Sequence, residues 1–91
     1  MTDNPSREMV VRNENGMHAR PAAMFVRVAN QFKSDIFVEK DGERVNGKSI
    51  MGLLMLSASC GTKLTVEAVG KDADSALDEL DRLLDSKFEE P

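Results

Sequence analysis

Apolar and polar positions along the chain switch several times between a period of two and a period near 3.6, and each switch marks an element. Residues 63–69 alternate most cleanly, with Leu64, Val66 and Ala68 on one side, Lys63, Thr65 and Glu67 on the other, and Gly70 as a stop. Residues 7–13 read as a strand centred on Met9-Val10-Val11 and closed by the turn formers Asn13, Asn15 and Gly16. Ile36-Phe37-Val38 predicts another strand, Asp41-Gly42 a tight hairpin, and residues 44–46 a short returning strand. From Ala19 the helical period takes over: Ala22, Phe25, Val26, Ala29 and Phe32 share a face, and Arg20, Arg27, Gln31 and Lys33 lie off it. Ser49, after the break at Asn46-Gly47, is placed to N-cap a short helix running to about Leu56. The last helix carries Ala73, Ala76, Leu77, Leu80, Leu83, Leu84 and Phe88 in one stripe, with Asp72 or Asp74 available as its cap. Asp78, Glu79, Asp81 and Asp85 fall off that stripe and predict a solvated face.

The resulting order is strand, helix, two strands, helix, strand, helix. Strands with one apolar face need a layer of helices over them, so the pattern implies a two-layer α/β sandwich. The hairpin requires at least one antiparallel pair, but the pattern alone leaves the strand neighbours open. The 91 residues suit one domain over 1–91, with an ordered core at about 7–88 and short polar tails, Glu89-Glu90-Pro91 being a frayed end. The middle helix poses its own question, because Ile50, Met51, Leu53, Leu54, Met55 and Leu56 surround it with apolar groups. Such a helix either leaves a few side chains in water or docks against a partner.

Composition removes several classes of function. A net charge of -4, with no Trp or Tyr and only four Phe, lacks the basic and base-stacking surface of a nucleic-acid binder. Cys60 is the single cysteine and His18 the single histidine, which rules out an internal disulfide and makes a zinc site implausible. The polar start Met1-Thr2-Asp3-Asn4-Pro5-Ser6 is no signal peptide, and the apolar cluster 50–56, broken by Gly52, is too short for a bilayer. A cytoplasmic protein is expected, without cofactor or metal.

The chemistry concentrates at Met17-His18-Ala19-Arg20-Pro21-Ala22. A helix starting at Ala19 places His18 at its N-cap, beside the first-turn amides of Ala19 and Arg20, which have no intrahelical partner. Pro21 has no N–H to leave unsatisfied there. The positive end of a helix opposes a second positive charge on the ring and stabilises an anionic phosphoryl group attached to it. The Arg20 fork suits phosphate oxygens. Each feature alone also fits a capping histidine beside a solvated arginine.

Taken together, Met17-His18-Ala19-Arg20-Pro21-Ala22 resembles the phosphorylation-site motif of the HPr family, the histidine phosphocarriers of the bacterial phosphoenolpyruvate-dependent sugar phosphotransferase system. Val45-Asn46-Gly47-Lys48-Ser49-Ile50-Met51-Gly52 resembles that family's second signature, around a regulatory serine. The likeness runs from about Arg7 to Phe88. It implies an α+β fold, βαββαβα, an open-faced sandwich of a four-stranded antiparallel sheet covered on one face by three helices. It implies a carrier rather than a self-sufficient enzyme: His18 takes a phosphoryl group at Nδ1 from phosphorylated enzyme I and passes it to a histidine of enzyme IIA domains. Arg20 steadies the group and the Ala19 amide faces it. Ser49 becomes a target of an HPr kinase/phosphorylase, and Met24, Arg27, Lys48, Ile50, Met51 and Leu54 form or border the docking surface of a monomer.

Rivals differ in specific residues. A nitrogen-type regulatory phosphocarrier shares the His18 chemistry, and Lys48-Ser49-Ile50-Met51-Gly52 favours serine control instead. A regulatory paralogue that binds a transcription factor typically lacks the active histidine, so His18 argues against that as the sole role. An acyl carrier protein needs an Asp before its serine and an all-helical bundle; here Lys48 precedes Ser49 and residues 63–69 alternate. Cys60 lacks a second Cys or His to activate it and reads as a loop residue.

Overall fold

A computed structural model describes residues 4–89; Met1–Asp3 and the tail residues Glu90 and Pro91 lie outside the described residues. The elements are β1 (Ser6–Val10), α1 (Ala19–Ala29), β2 (Asp35–Lys40), β3 (Glu43–Asn46), α2 (Ile50–Met55), β4 (Lys63–Val69) and α3 (Ala73–Asp85), followed by a short turn at Lys87–Glu89. The strands form one sheet in the order β1-β4-β2-β3, antiparallel throughout. Asp41 and Gly42 sit at the β2–β3 hairpin with positive φ, which its reversal requires. The fold is thus α+β, a four-stranded antiparallel sheet with its helices packed on one face.

The strand pattern explains which face is covered. Met9 pairs with Leu64, Val38 with Val66 and Ile36 with Ala68, so the centre of the inward face is built from apolar pairs across the ladder. All six are buried, and Ala22, Phe25 and Ala29 of α1, Leu53 of α2, and Ala76, Leu77, Leu80 and Leu84 of α3 close over them. On the opposite face Arg44 stacks over the Phe37 ring at 4.1 Å and pairs with Glu67. Among the described residues no helix is long and apolar enough to cross a membrane.

Several local expectations change. Strand β1 ends at Val10, although Val11 keeps contact with the sheet side by donating to the Thr62 carbonyl at 2.9 Å. Helix α1 stops at Ala29, so Phe32 is half-buried in the turn that follows and is not part of the helix. Helix α3 stops at Asp85, and Phe88 does not extend its stripe. Phe88 enters the core through a left-handed turn, with Lys87, Phe88 and Glu89 all at φ between 54° and 59°. Asp72 occupies the N-cap position of α3 but makes no side-chain cap bond. Its carboxylate accepts instead from the Ser34 hydroxyl and from the amides of Lys33 and Ser34, 2.8 and 3.0 Å away. The acidic face of α3 is also less solitary than its spacing implies: Arg7 pairs with Asp78 and Asp81, and Arg12 with Asp85.

Candidate functional site

The segment between β1 and α1 is a chain of short hydrogen bonds that ends at His18. The Gly16 amide donates to the Asn13 carbonyl at 3.0 Å, closing a turn, and Gly16 leaves it at φ 71°. That conformation favours glycine. A second constraint acts on the same residue, since a Cβ there would lie 2.7 Å from the Ala58 carbonyl oxygen and 2.9 Å from the Ser59 Cα. Gly16 therefore lets the turn press against the loop that follows α2. Met17 fastens it by donating to the Ala58 carbonyl at 2.8 Å and is itself buried.

His18 follows as the N-cap of α1, with extended backbone angles (φ -97°, ψ -169°). Its carbonyl accepts the first helical bond, from the Ala22 amide at 3.0 Å, while its imidazole makes no capping bond to the helix. The ring is half-buried, and Nε2 is turned inward and buried. Ala19, at the first helical position, is exposed; Pro21 is buried in the same turn, where its missing N–H costs nothing. Arg20 is exposed and its Nη1 reaches the Met24 sulfur at 3.2 Å, one turn along α1. An imidazole, a guanidinium and the amide end of a helix thus share one corner of the molecule. Such a set can receive an anion of tetrahedral oxygens.

Ser49 lies at the start of α2 as its spacing predicts. Its hydroxyl accepts from the Gly52 amide at 3.0 Å, and its carbonyl accepts from the Leu53 amide at 3.1 Å. Helix α2 divides its apolar residues between two environments. Leu53 is buried and Leu56, just beyond the helix, is buried too, whereas Ile50, Met51 and Met55 are exposed, Met51 to 72%. Leu54 is half-buried, as is Met24 on the neighbouring α1, and Arg27 is exposed. Met55 lies outside the docking set that the resemblance implies, although it stands one turn from Met51 on the same exposed face. Lys48 is set differently from Arg27: its Nζ donates to the Phe32 carbonyl at 2.9 Å and ties the start of α2 to the turn after α1.

A family model described as the PTS HPr component phosphorylation site matches residues 5–86. The HPr-like protein Crh of Bacillus subtilis (strain 168) is 56% identical over 70 residues, 77% of this chain and 82% of that protein. Phosphocarrier protein HPr of Treponema pallidum (strain Nichols) is 46% identical over 80 residues, 88% of this chain and 91% of its own. Among solved structures, HPr-C-His from Thermoanaerobacter tengcongensis superposes with a TM-score of 0.92 at 44% identity, covering 96% of this chain and 98% of its own. A dimeric HPr structure from that organism gives a TM-score of 0.77 at 43% identity, covering 99% and 100%. With the sheet order, the histidine at the N-cap of α1 and the serine at the N-cap of α2 in place, the chain belongs to the HPr family of phosphocarriers of the phosphotransferase system.

Proposed function

We propose that His18 accepts a phosphoryl group at Nδ1 from phosphorylated enzyme I and passes it to a histidine of an enzyme IIA domain in sugar uptake. The observation that carries this reading is the N-cap placement of a half-buried imidazole whose Nε2 faces inward and which is not used to cap its own helix. The first-turn Ala19 amide and the Arg20 guanidinium supply charge complementarity for the group once it is attached. Phosphoryl transfer needs positioning and charge stabilisation more than covalent machinery, so a small carrier suffices when donor and acceptor bring the rest. The exposed Ile50, Met51 and Met55, with Met24, Arg27, Lys48 and Leu54 around them, form the surface that both partners share. The unit in this reading is a single domain over 1–91 acting as one chain in the cytoplasm.

Ser49 adds control. Phosphate on a helix N-terminus is favourable for the helix itself, and here it would set negative charge among the exposed apolar side chains of α2 and oppose enzyme I docking. Likeness to Crh, the Bacillus subtilis catabolite repression HPr, supports a regulatory role alongside transfer.

The test uses labelled phosphoenolpyruvate with purified enzyme I. The natural protein is expected to acquire acid-labile phosphate, and His18→Ala to lose it completely. Persistent label on that variant would move the site, and an unlabelled natural protein would reject the reading.

A further inference from the structure

The turn before His18 contains a buried polar side chain that transfer chemistry does not itself require. Asn13 is fully buried, and its Nδ2 donates to the Gly16 carbonyl at 2.7 Å. The same carbonyl accepts the His18 amide at 3.0 Å, and the Asn13 carbonyl accepts the Gly16 amide at 3.0 Å. Asn13 therefore grips both ends of the Gly16 peptide unit pair, once through its backbone and once through its carboxamide. The oxygen it holds is the one that holds His18.

We infer that Asn13 is a positioning residue, whose carboxamide fixes the Gly16 carbonyl and through it the backbone from which the His18 imidazole is presented. Gly16 is intrinsically the most pliable residue of the segment, and it sits at φ 71° two residues before the imidazole. The Gly16 carbonyl shares one planar peptide unit with the Met17 amide, which is anchored to the Ala58 carbonyl, so the loop after α2 holds that plane from its N–H side alone. The buried Asn13 carboxamide holds it from the oxygen side at 2.7 Å, a second clamp on the same plane. Removing that donor leaves the carbonyl with one donor in place of two, and the peptide plane, held then from its N–H side only, gains freedom to tilt about the Met17 anchor. A ring carried two residues further then samples a wider set of positions against donor and acceptor. Losses of this kind act on reaction geometry far more than on affinity.

The inference rests on His18 being the phosphoryl site, so the experiment separates the two. Asn13→Ala is compared with the natural protein in three measurements: transfer from phosphorylated enzyme I, phosphorylation of Ser49 by an HPr kinase/phosphorylase, and the long-range proton–nitrogen NMR pattern of the His18 ring. The expected result is a fall of about ten- to a hundred-fold in kcat for His18 phosphorylation with little change in KM. The ring pattern shifts and Ser49 is modified at its natural rate, because α2 and its surface are untouched. Natural kcat and an unchanged ring pattern in Asn13→Ala would overturn the inference while leaving His18 as the site. Equal losses at His18 and Ser49 would also overturn it, since they would report general damage. If the natural protein takes no phosphate on His18, the reading of the site fails and the inference falls with it. Should Asn13→Ala not fold, the natural protein still decides: a through-bond coupling between the Asn13 carboxamide nitrogen and the Gly16 carbonyl carbon is expected, and its absence overturns the inference.

Discussion

Asp72 shows how one side chain can be placed for a familiar purpose and serve another. It stands where a helix cap belongs, yet its carboxylate crosses to the turn after α1 and accepts from the Ser34 hydroxyl and from two amides. Those bonds, the Ser34 hydroxyl first and the Lys33 amide next, hold its carboxyl below the ordinary aspartate value. Gly70 permits the arrangement: a Cβ there would lie 2.5 Å from the Ser34 oxygen, and its φ of 153° disfavours other residues. The sign of the pH dependence follows. A carboxyl depressed in the folded chain stabilises it above the unfolded value, about pH 3.9, and that stabilisation is lost as pH falls through the folded value. Asp72→Asn is therefore expected to melt below the natural protein at pH 7, with the gap narrowing steadily under acid. Thermal melts from pH 7 downward check this; a gap that stays constant to the lowest pH would show that the charge is irrelevant. Sequence alone could place Asp72 near a helix start, but its partners are 38 and 39 residues away, and local spacing carries no trace of them.

At the scale of elements, α2 holds the clearest division of labour. Its six residues are too few to be stable in isolation, so it exists because Leu53 and the Ser49 cap fix it to the body of the protein. At its far end the Lys40 Nζ donates to the Leu56 carbonyl at 2.9 Å and supplies positive charge where a helix C-terminus prefers it. Leu53→Ala is expected to lose about 2–5 kcal/mol. Met51→Ala, at a side chain 72% exposed, is expected to stay within about 0.5 kcal/mol of the natural stability. The same Met51 variant should raise the KM for phosphorylated enzyme I if the exposed face is the docking surface. Urea titrations and transfer kinetics on both variants provide the check; unchanged kinetics in Met51→Ala would remove that residue from the interface. The elements themselves were largely legible, because β4 alternates without a fault and α1 and α3 keep clear stripes. Ser49 was legible as a cap for the same reason, since a cap depends on neighbours three residues away. The split of α2 into a buried and an exposed side was not, because a helix apolar all round contains no internal record of which side meets the sheet. The bond from Lys48 to the Phe32 carbonyl is equally hidden in the sequence, because it depends on two segments meeting in space.

At the scale of the whole molecule, the two ends of the described chain are joined. Strand β1 lies at the edge of the sheet, and α3 rests against it through Arg7 with Asp78 and Asp81, and against the segment just after it through Arg12 with Asp85. Exposed ion pairs of this kind contribute about 0–1 kcal/mol each, so they guide the contact more than they hold it. The stronger anchor is Phe88, fully buried although it lies beyond the helix. Strand order and this return of the chain were the parts hidden from the sequence. Phe88 follows Leu84 by four residues, so a helical stripe and a turn that re-enters the core write the same spacing. The difference is visible only in the backbone, where three successive residues without glycine adopt positive φ. That conformation is unfavourable for each of them, and it persists because the ring is held in the core. Phe88→Ala should therefore do two things at once. Global stability is expected to fall by about 3–5 kcal/mol. The amides at Lys87–Glu89 should lose protection from hydrogen exchange well before those of β4, since nothing then repays the left-handed turn. A Phe88→Leu variant, which keeps most of the buried volume, should retain the turn and much of the stability. If Phe88→Ala loses stability but its terminal amides remain as protected as before, the turn is held by its own backbone bond from Glu89 to Ser86, and the ring is only core filling.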